Sequence, residues 1–161
     1  MIKSHLVRSM ERYHEYYHLG FGLACFIVVA LLFPDVSKVA LLIVAVIGSF
    51  VPDTDHLFFI FIYGRNTTYA IAVRNFLSKH DIPGATNYVR TNHKSNNFIL
   101  SHNLLTPLIF FIFYINLVNI GQITFALFCL SFAAHFIFDI IEDLLVFGHL
   151  NPNWYLKFRR S

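Results

Sequence analysis

The stretch SNNFILSHNLLTPLIFFIFYINLVNIGQITFALFCLSFAAHFIF, residues 95–138, holds no Asp, Glu, Lys or Arg. At about 20 mostly apolar residues per membrane crossing, it is long enough to supply most of two helices. Asn119, Ile120 and Gly121 interrupt it with turn-forming residues. The pattern therefore predicts a tight helical hairpin, with spans at about 98–118 and 122–147.

Toward the N-terminus lie two more apolar runs, at about 16–33 and 36–51, followed by Pro34 and Pro52. Proline has no backbone N–H and restricts the residue before it, so both runs should end there. Residues 57–63 are apolar but too few to cross. Tyr69, Val73, Phe76 and Leu77 recur at helical spacing opposite Arg74, Ser78 and Lys79, which predicts a short helix on the membrane surface. Residues 81–97, with Pro83 and Gly84, read as loop. The expected fold is an all-α, polytopic membrane bundle. It has four transmembrane helices, one short interfacial helix and a long loop at about 64–97, all in a single membrane-embedded domain over 1–161.

Composition agrees. The chain is 57% hydrophobic and 13% charged, about half the charge of a soluble domain. One core cannot hide that much apolar surface in a chain of this length. A net charge of +3 gives no reason to expect a nucleic-acid partner. Cys25 and Cys129 sit inside apolar runs and read as small buried hydrophobes, not a disulfide. Lys3, Arg8 and Arg12 precede the first run as in a signal peptide, but no small-residue cleavage site follows. That run reads as a retained span. Gly20, Ala24 and Ala30 on it read as helix-packing positions.

Under four spans, eleven basic residues fall on one side: Lys3, Arg8, Arg12, Arg65, Arg74, Lys79, Arg90, Lys94, Lys157, Arg159 and Arg160. The other side has Lys38 alone. The positive-inside bias therefore places both termini in the cytoplasm.

Asp53, Asp55, Asp139, Glu142 and Asp143 lie in or at the ends of apolar runs whose one Lys or Arg is Lys38, at the far end of its run from these acids. Each costs up to roughly 2.5–3.5 kcal/mol near a helix centre. Histidines accompany them: His18, His56, His102 and His135. Carboxylates and imidazoles without a cationic side chain point to a divalent metal. His135 and Asp139 are one helical turn apart and share a face. Asp53, Asp55 and His56 follow the Pro52 break, and His102 lies near the start of the third span. Counted from the span ends, all these groups fall in one layer of the cytoplasmic half. Glu142 and Asp143 read as a solvated helix end, and His5, His80 and His149 as solvent-facing.

The same residues carry a family resemblance. GSFVPDTDH at 48–56 resembles the G-x-x-x-P-D-x-D-H signature of the YdjM-type, LexA-regulated inner-membrane metal-dependent hydrolases. SHNLL at 101–105 is similar to that family's T-H-S-L-L segment, and AAHFIFD at 133–139 to its S-H-x-x-x-D helix. Asn97 and Phe98 stand where the family usually has His and Arg, and His93-Lys94 lies just upstream. The resemblance implies a bacterial or archaeal plasma membrane and an early histidine ligand, His14 or His18. His-x-x-x-Asp in an all-α bundle is more distantly similar to zinc phospholipases C, which implies phosphoester hydrolysis.

The expected site is therefore His18, Asp53, Asp55, His56, His102, His135 and Asp139 around Zn²⁺ or Mn²⁺, with Asp53 and Asp55 also as catalytic carboxylates. An anionic lipid beside the basic loop is the expected substrate. A cation or proton transporter, and a structural protein whose metal staples a polar core, are the alternative readings.

Overall fold

A computed structural model describes residues 9–10, 13–92 and 99–155. Phe98, His93, Lys94, His5 and the terminal basic residues counted above lie outside the described residues. In chain order the helices are α1 (His14–Leu32), α2 (Lys38–Phe50), α3 (Thr54–Phe58), α4 (Thr68–Ser78), α5 (Ile82–Asn92), α6 (Leu105–Asn119) and α7 (Ile123–Phe147). A 3₁₀ turn (Val51–Asp53) precedes α3, a π-turn (Phe59–Tyr63) follows it, and a second 3₁₀ turn covers Pro152–Trp154. No strand occurs among the described residues. The fold is all-α, as expected.

Three helical stretches are long and apolar enough to cross a membrane: His14–Leu32, Lys38–Tyr63 and Ile123–Phe147. The third apolar stretch becomes helical only at Leu105, which leaves 15 residues, or about 22 Å of helix. Its start is written in the sequence. The Asn103 side chain accepts hydrogen bonds from the backbone of Leu105 and Thr106, at 2.9 and 3.1 Å. Pro107 occupies the first turn, where its missing N–H costs nothing.

The chain divides into two compact units. One comprises residues up to Pro52 together with Asn103–Leu150, the other Asp53–His102 and the residues from Asn151. In the first unit α7 packs against α1, α2 and α6. Apart from His135, Asp139, Glu142 and Asp143 it is largely apolar, as a central helix must be, and it buries Leu127, Phe136 and Phe138 almost completely. Glycine permits the close approaches. A Cβ on Gly48 would stand 2.8 Å from the Phe128 carbonyl of α7. A Cβ on Gly22 of α1 would run into the Ser49 hydroxyl and lie 3.1 Å from the Ala45 carbonyl of α2. Gly20 and Ala24, expected at helix contacts, are instead exposed, and nothing lies within 4 Å of a Cβ on Gly20. His14 and His18 mark the inward face of α1, and Gly22 continues it one turn further on, whereas Gly20 falls off that face.

Turns close this unit with local chemistry. Gly121 (φ 75°) and Gln122 donate back to Val118 and Leu117, ending α6 and turning the hairpin. Lys38 donates to the carbonyls of Ala30, Phe33 and Pro34 at 2.9–3.0 Å. Lys38 thus caps the C-terminus of α1, where a cation complements the helix dipole.

In the second unit, Phe59, Ile60, Tyr69, Ala70, Val73 and Ile99 form the core. The expected short helix is α4, capped by the Thr67 hydroxyl on the Ala70 N–H. Residues 82–92, expected as loop, form α5 instead. The Asp81 carboxylate accepts from Gly84 at 2.9 Å, and Pro83 sits in the first turn. Pro and Gly here open a helix, where the sequence reading took them as loop punctuation. Burial, and secondarily the neighbouring Tyr88, pushes the Tyr69 hydroxyl up to about 12.

Candidate metal centre

Helices α1 and α7 contain seven Asp, Glu or His residues and no Lys or Arg. His14 and His18 are one turn apart on α1, and His135 and Asp139 one turn apart on α7, so each helix presents a pair on one face. Packing α1 against α7 brings the pairs together. Asp139 Oδ1 lies 3.3 Å from His18 Nε2 and 3.8 Å from His14 Nε2, and Asp139 Oδ2 lies 3.4 Å from His135 Nε2. His14 Nε2 and His18 Nε2 are 2.9 Å apart. The His18 and His135 rings stack at 3.7 Å.

These spacings fit a metal. Ligands about 2.0–2.1 Å from a tetrahedral ion stand about 3.3 Å from one another. His14, His18 and Asp139 each offer one atom to such a group. His18 and His135 are each 1% exposed and Asp139 6%, so the donor atoms are screened from water. The His14 side chain, 24% exposed, is the group's open edge.

The partners behind the ligands fix their protons. His135 Nδ1 lies 2.7 Å from the Ser49 carbonyl. A carbonyl only accepts, so Nδ1 carries the proton and a neutral ring turns its Nε2 lone pair toward Asp139. An ionised carboxylate is also acceptor-only. Two acceptors thus face each other at 3.4 Å, an arrangement that calls for a cation or a proton between them. His14 Nδ1 in turn lies 3.2 Å from Glu142 Oε1. His18 Nδ1 is buried without a hydrogen-bond partner among the described residues.

The second unit holds the rest of the expected set. Asp55 Oδ1 accepts from the Tyr63 hydroxyl and Oδ2 from the Ser101 N–H, both at 2.7 Å. The Tyr63 hydroxyl accepts from Leu100 N–H at 3.2 Å, and Asn153 Oδ1 accepts from Ile99 N–H at 3.2 Å. His102 Nδ1 lies 3.1 Å from the Ser101 hydroxyl. The His56 and His102 rings are 5.0 Å apart, and His102 is 5.9 Å from Trp154. Asp53 ends the 3₁₀ turn and is half-buried.

The structure therefore groups His14, His18, His135 and Asp139 in one unit and Asp55, His56 and His102 in the other. It brings in both early histidines, where the sequence left a choice between them. Glu142 and Asp143, expected at a solvated helix end, are each 2% exposed, because α7 is still enclosed by its neighbours at that turn. The one signal for Glu142 is its place three residues after Asp139 on a helix without Lys or Arg, which does not by itself tell a buried acid from a solvated one. Ser49 was not, since it acts through its backbone carbonyl. Tyr63 was hidden because a π-turn sets its register.

No curated protein and no solved structure matches the chain. The model of one family, described as YdjM inner membrane protein, matches residues 15–146, and over that length the chain belongs to the YdjM inner membrane protein family.

Proposed function

We propose that this protein is a membrane-bound metal-dependent hydrolase with a divalent ion, Zn²⁺ or Mn²⁺, held by His14, His18, His135 and Asp139. The observation that carries the reading is the convergence of His18 Nε2, His14 Nε2 and Asp139 Oδ1 at 2.9–3.8 Å in a group open to water at His14. When bound, the ion would polarise a scissile ester and lower the pKa of water at neutral pH. Asp139 bridges the two helices and offers both oxygens. The Ser49 carbonyl holds the His135 ring in the tautomer that a ligand needs. Asp53, Asp55, His56 and His102 stand as further proposed ligands on the sequence pattern, and Asp53 and Asp55 as proposed proton-transfer groups. Asp55 would use the lone pairs left over by Tyr63 and Ser101.

The substrate class proposed is a phosphoester, or related bond, of an anionic lipid at the cytoplasmic face. The chain would be multi-pass with both termini inside, which the basic count of eleven against one supports. Arg65, Arg74 and Arg90 would draw anionic headgroups, at about 1 kcal/mol each near the surface.

The test is turnover. Purified protein in vesicles containing a lipid phosphate monoester should release phosphate, lose that activity to a chelator, and regain it with Zn²⁺ or Mn²⁺. A metal-loaded protein inert toward lipid phosphomonoesters and phosphodiesters would contradict the hydrolase reading. The 2.9 Å contact between two imidazole nitrogens also suits a shared proton, so proton relay or transport is the second reading. Proton flux across the same vesicles without hydrolysis would favour it.

A further inference from the structure

We infer that Glu142 is a positioning residue that acts through His14, fixing the tautomer in which Nε2 faces Asp139 and His18. This rests on the proposed metal centre only for its consequence; the tautomer itself can be read without metal. Glu142 is 2% exposed, so its carboxylate is held away from water and must gain from what it touches. Its Oε1 lies 3.2 Å from His14 Nδ1. It stands three residues beyond Asp139 on α7, so both carboxylates meet α1 from one face.

The chemistry follows from donor and acceptor counts. An ionised carboxylate accepts and never donates, so Nδ1 of His14 carries the proton toward Glu142. A neutral His14 then has its lone pair on Nε2, the atom 2.9 Å from His18 Nε2 and 3.8 Å from Asp139 Oδ1. Glu142 does for His14 with a side chain what the Ser49 carbonyl does for His135 with the backbone. Carboxylates behind ligating histidines orient the ring and raise its basicity. His14 needs this most, because its side chain is the exposed edge of the group at 24%.

Two measurements test it. In metal-free protein labelled with ¹⁵N-histidine, the resonances lost in His14→Ala should report a proton on Nδ1, and Glu142→Leu should remove that preference. A proton on Nε2 in the wild type would mean that Glu142 is the donor and would overturn the assignment. For zinc, measured by competition with a chelator, Glu142→Leu should weaken binding roughly 10- to 100-fold and Glu142→Gln, which keeps an acceptor oxygen, by less. In the His14→Ala background Glu142→Leu should cost nothing further; an equal loss there would show that Glu142 acts independently of His14. A wild type that binds no zinc would defeat the metal reading, while the ¹⁵N result would still decide the role of Glu142.

Discussion

Asp139 and Asp55 are both carboxylates within apolar helical stretches, and the two units surround them with opposite chemistry. Asp139 meets nitrogens of His14, His18 and His135, groups that can lend lone pairs to an ion. Asp55 meets a phenol hydroxyl and a backbone N–H, both committed donors. A cation or a proton reconciles the first set; the second is already reconciled by hydrogen bonds. An acid in an apolar sequence therefore announces that something compensates it, and only its neighbours say what. The Asp139 group is built on two long helices, which hold ligands more rigidly than turns do. The Asp55 group ties α3 and the π-turn to Leu100 and Ser101, so its first effect is to order a segment of irregular backbone.

The largest difference between the two groups should appear in metal affinity. His135→Ala should weaken zinc binding by 100-fold or more, the upper range for loss of a ligand over loss of its support. Tyr63→Phe should leave it within a few-fold. Equal losses in a chelator-competition assay would erase the distinction between them.

Packing comes next. Gly48→Val would drive a side chain into the Phe128 carbonyl and should destabilise the protein by about 1–3 kcal/mol, the usual range for overpacking. Because Ser49 adjoins Gly48, the variant should also weaken metal binding, read together with a detergent thermal melt. Gly20→Val, on the same unit but facing open space, should change neither; a comparable loss there would show that α1 has a partner on that face.

The smallest effect belongs to the second group. Tyr63→Phe removes the donor to Asp55 and the acceptor for Leu100, worth about 1–2 kcal/mol together. Faster limited proteolysis near residues 99–102 is the expected sign. Unchanged protection would mean that Asp55 alone holds the segment.

Much of this was legible in the sequence. The charge-free run, the Gly121 turn, the i, i+4 pair His135 and Asp139, and the absence of Lys and Arg from the stretches that became α1 and α7 all announced a polar cluster between apolar helices. What escaped had physical causes. Gly22 continues the His14–His18 face by one turn and Gly20 does not, a difference that shows only once those histidines are known to face inward. Pro83 and Gly84 serve equally to end a chain segment or to start a helix, and the Asp81 cap decides between them. Glu142 looked like a solvated acid because nothing in its spacing reveals that α7 stays enclosed to that depth.

If Asp139 joins three histidines around a metal ion, elemental analysis of protein purified without chelator, wild type beside Asp139→Ala, should find zinc or manganese at no less than about one ion per chain, the full occupancy expected of a multi-ligand site, and its near-complete loss in the variant. A wild type with no divalent metal, or an Asp139→Ala protein that folds and keeps its full complement, would contradict it.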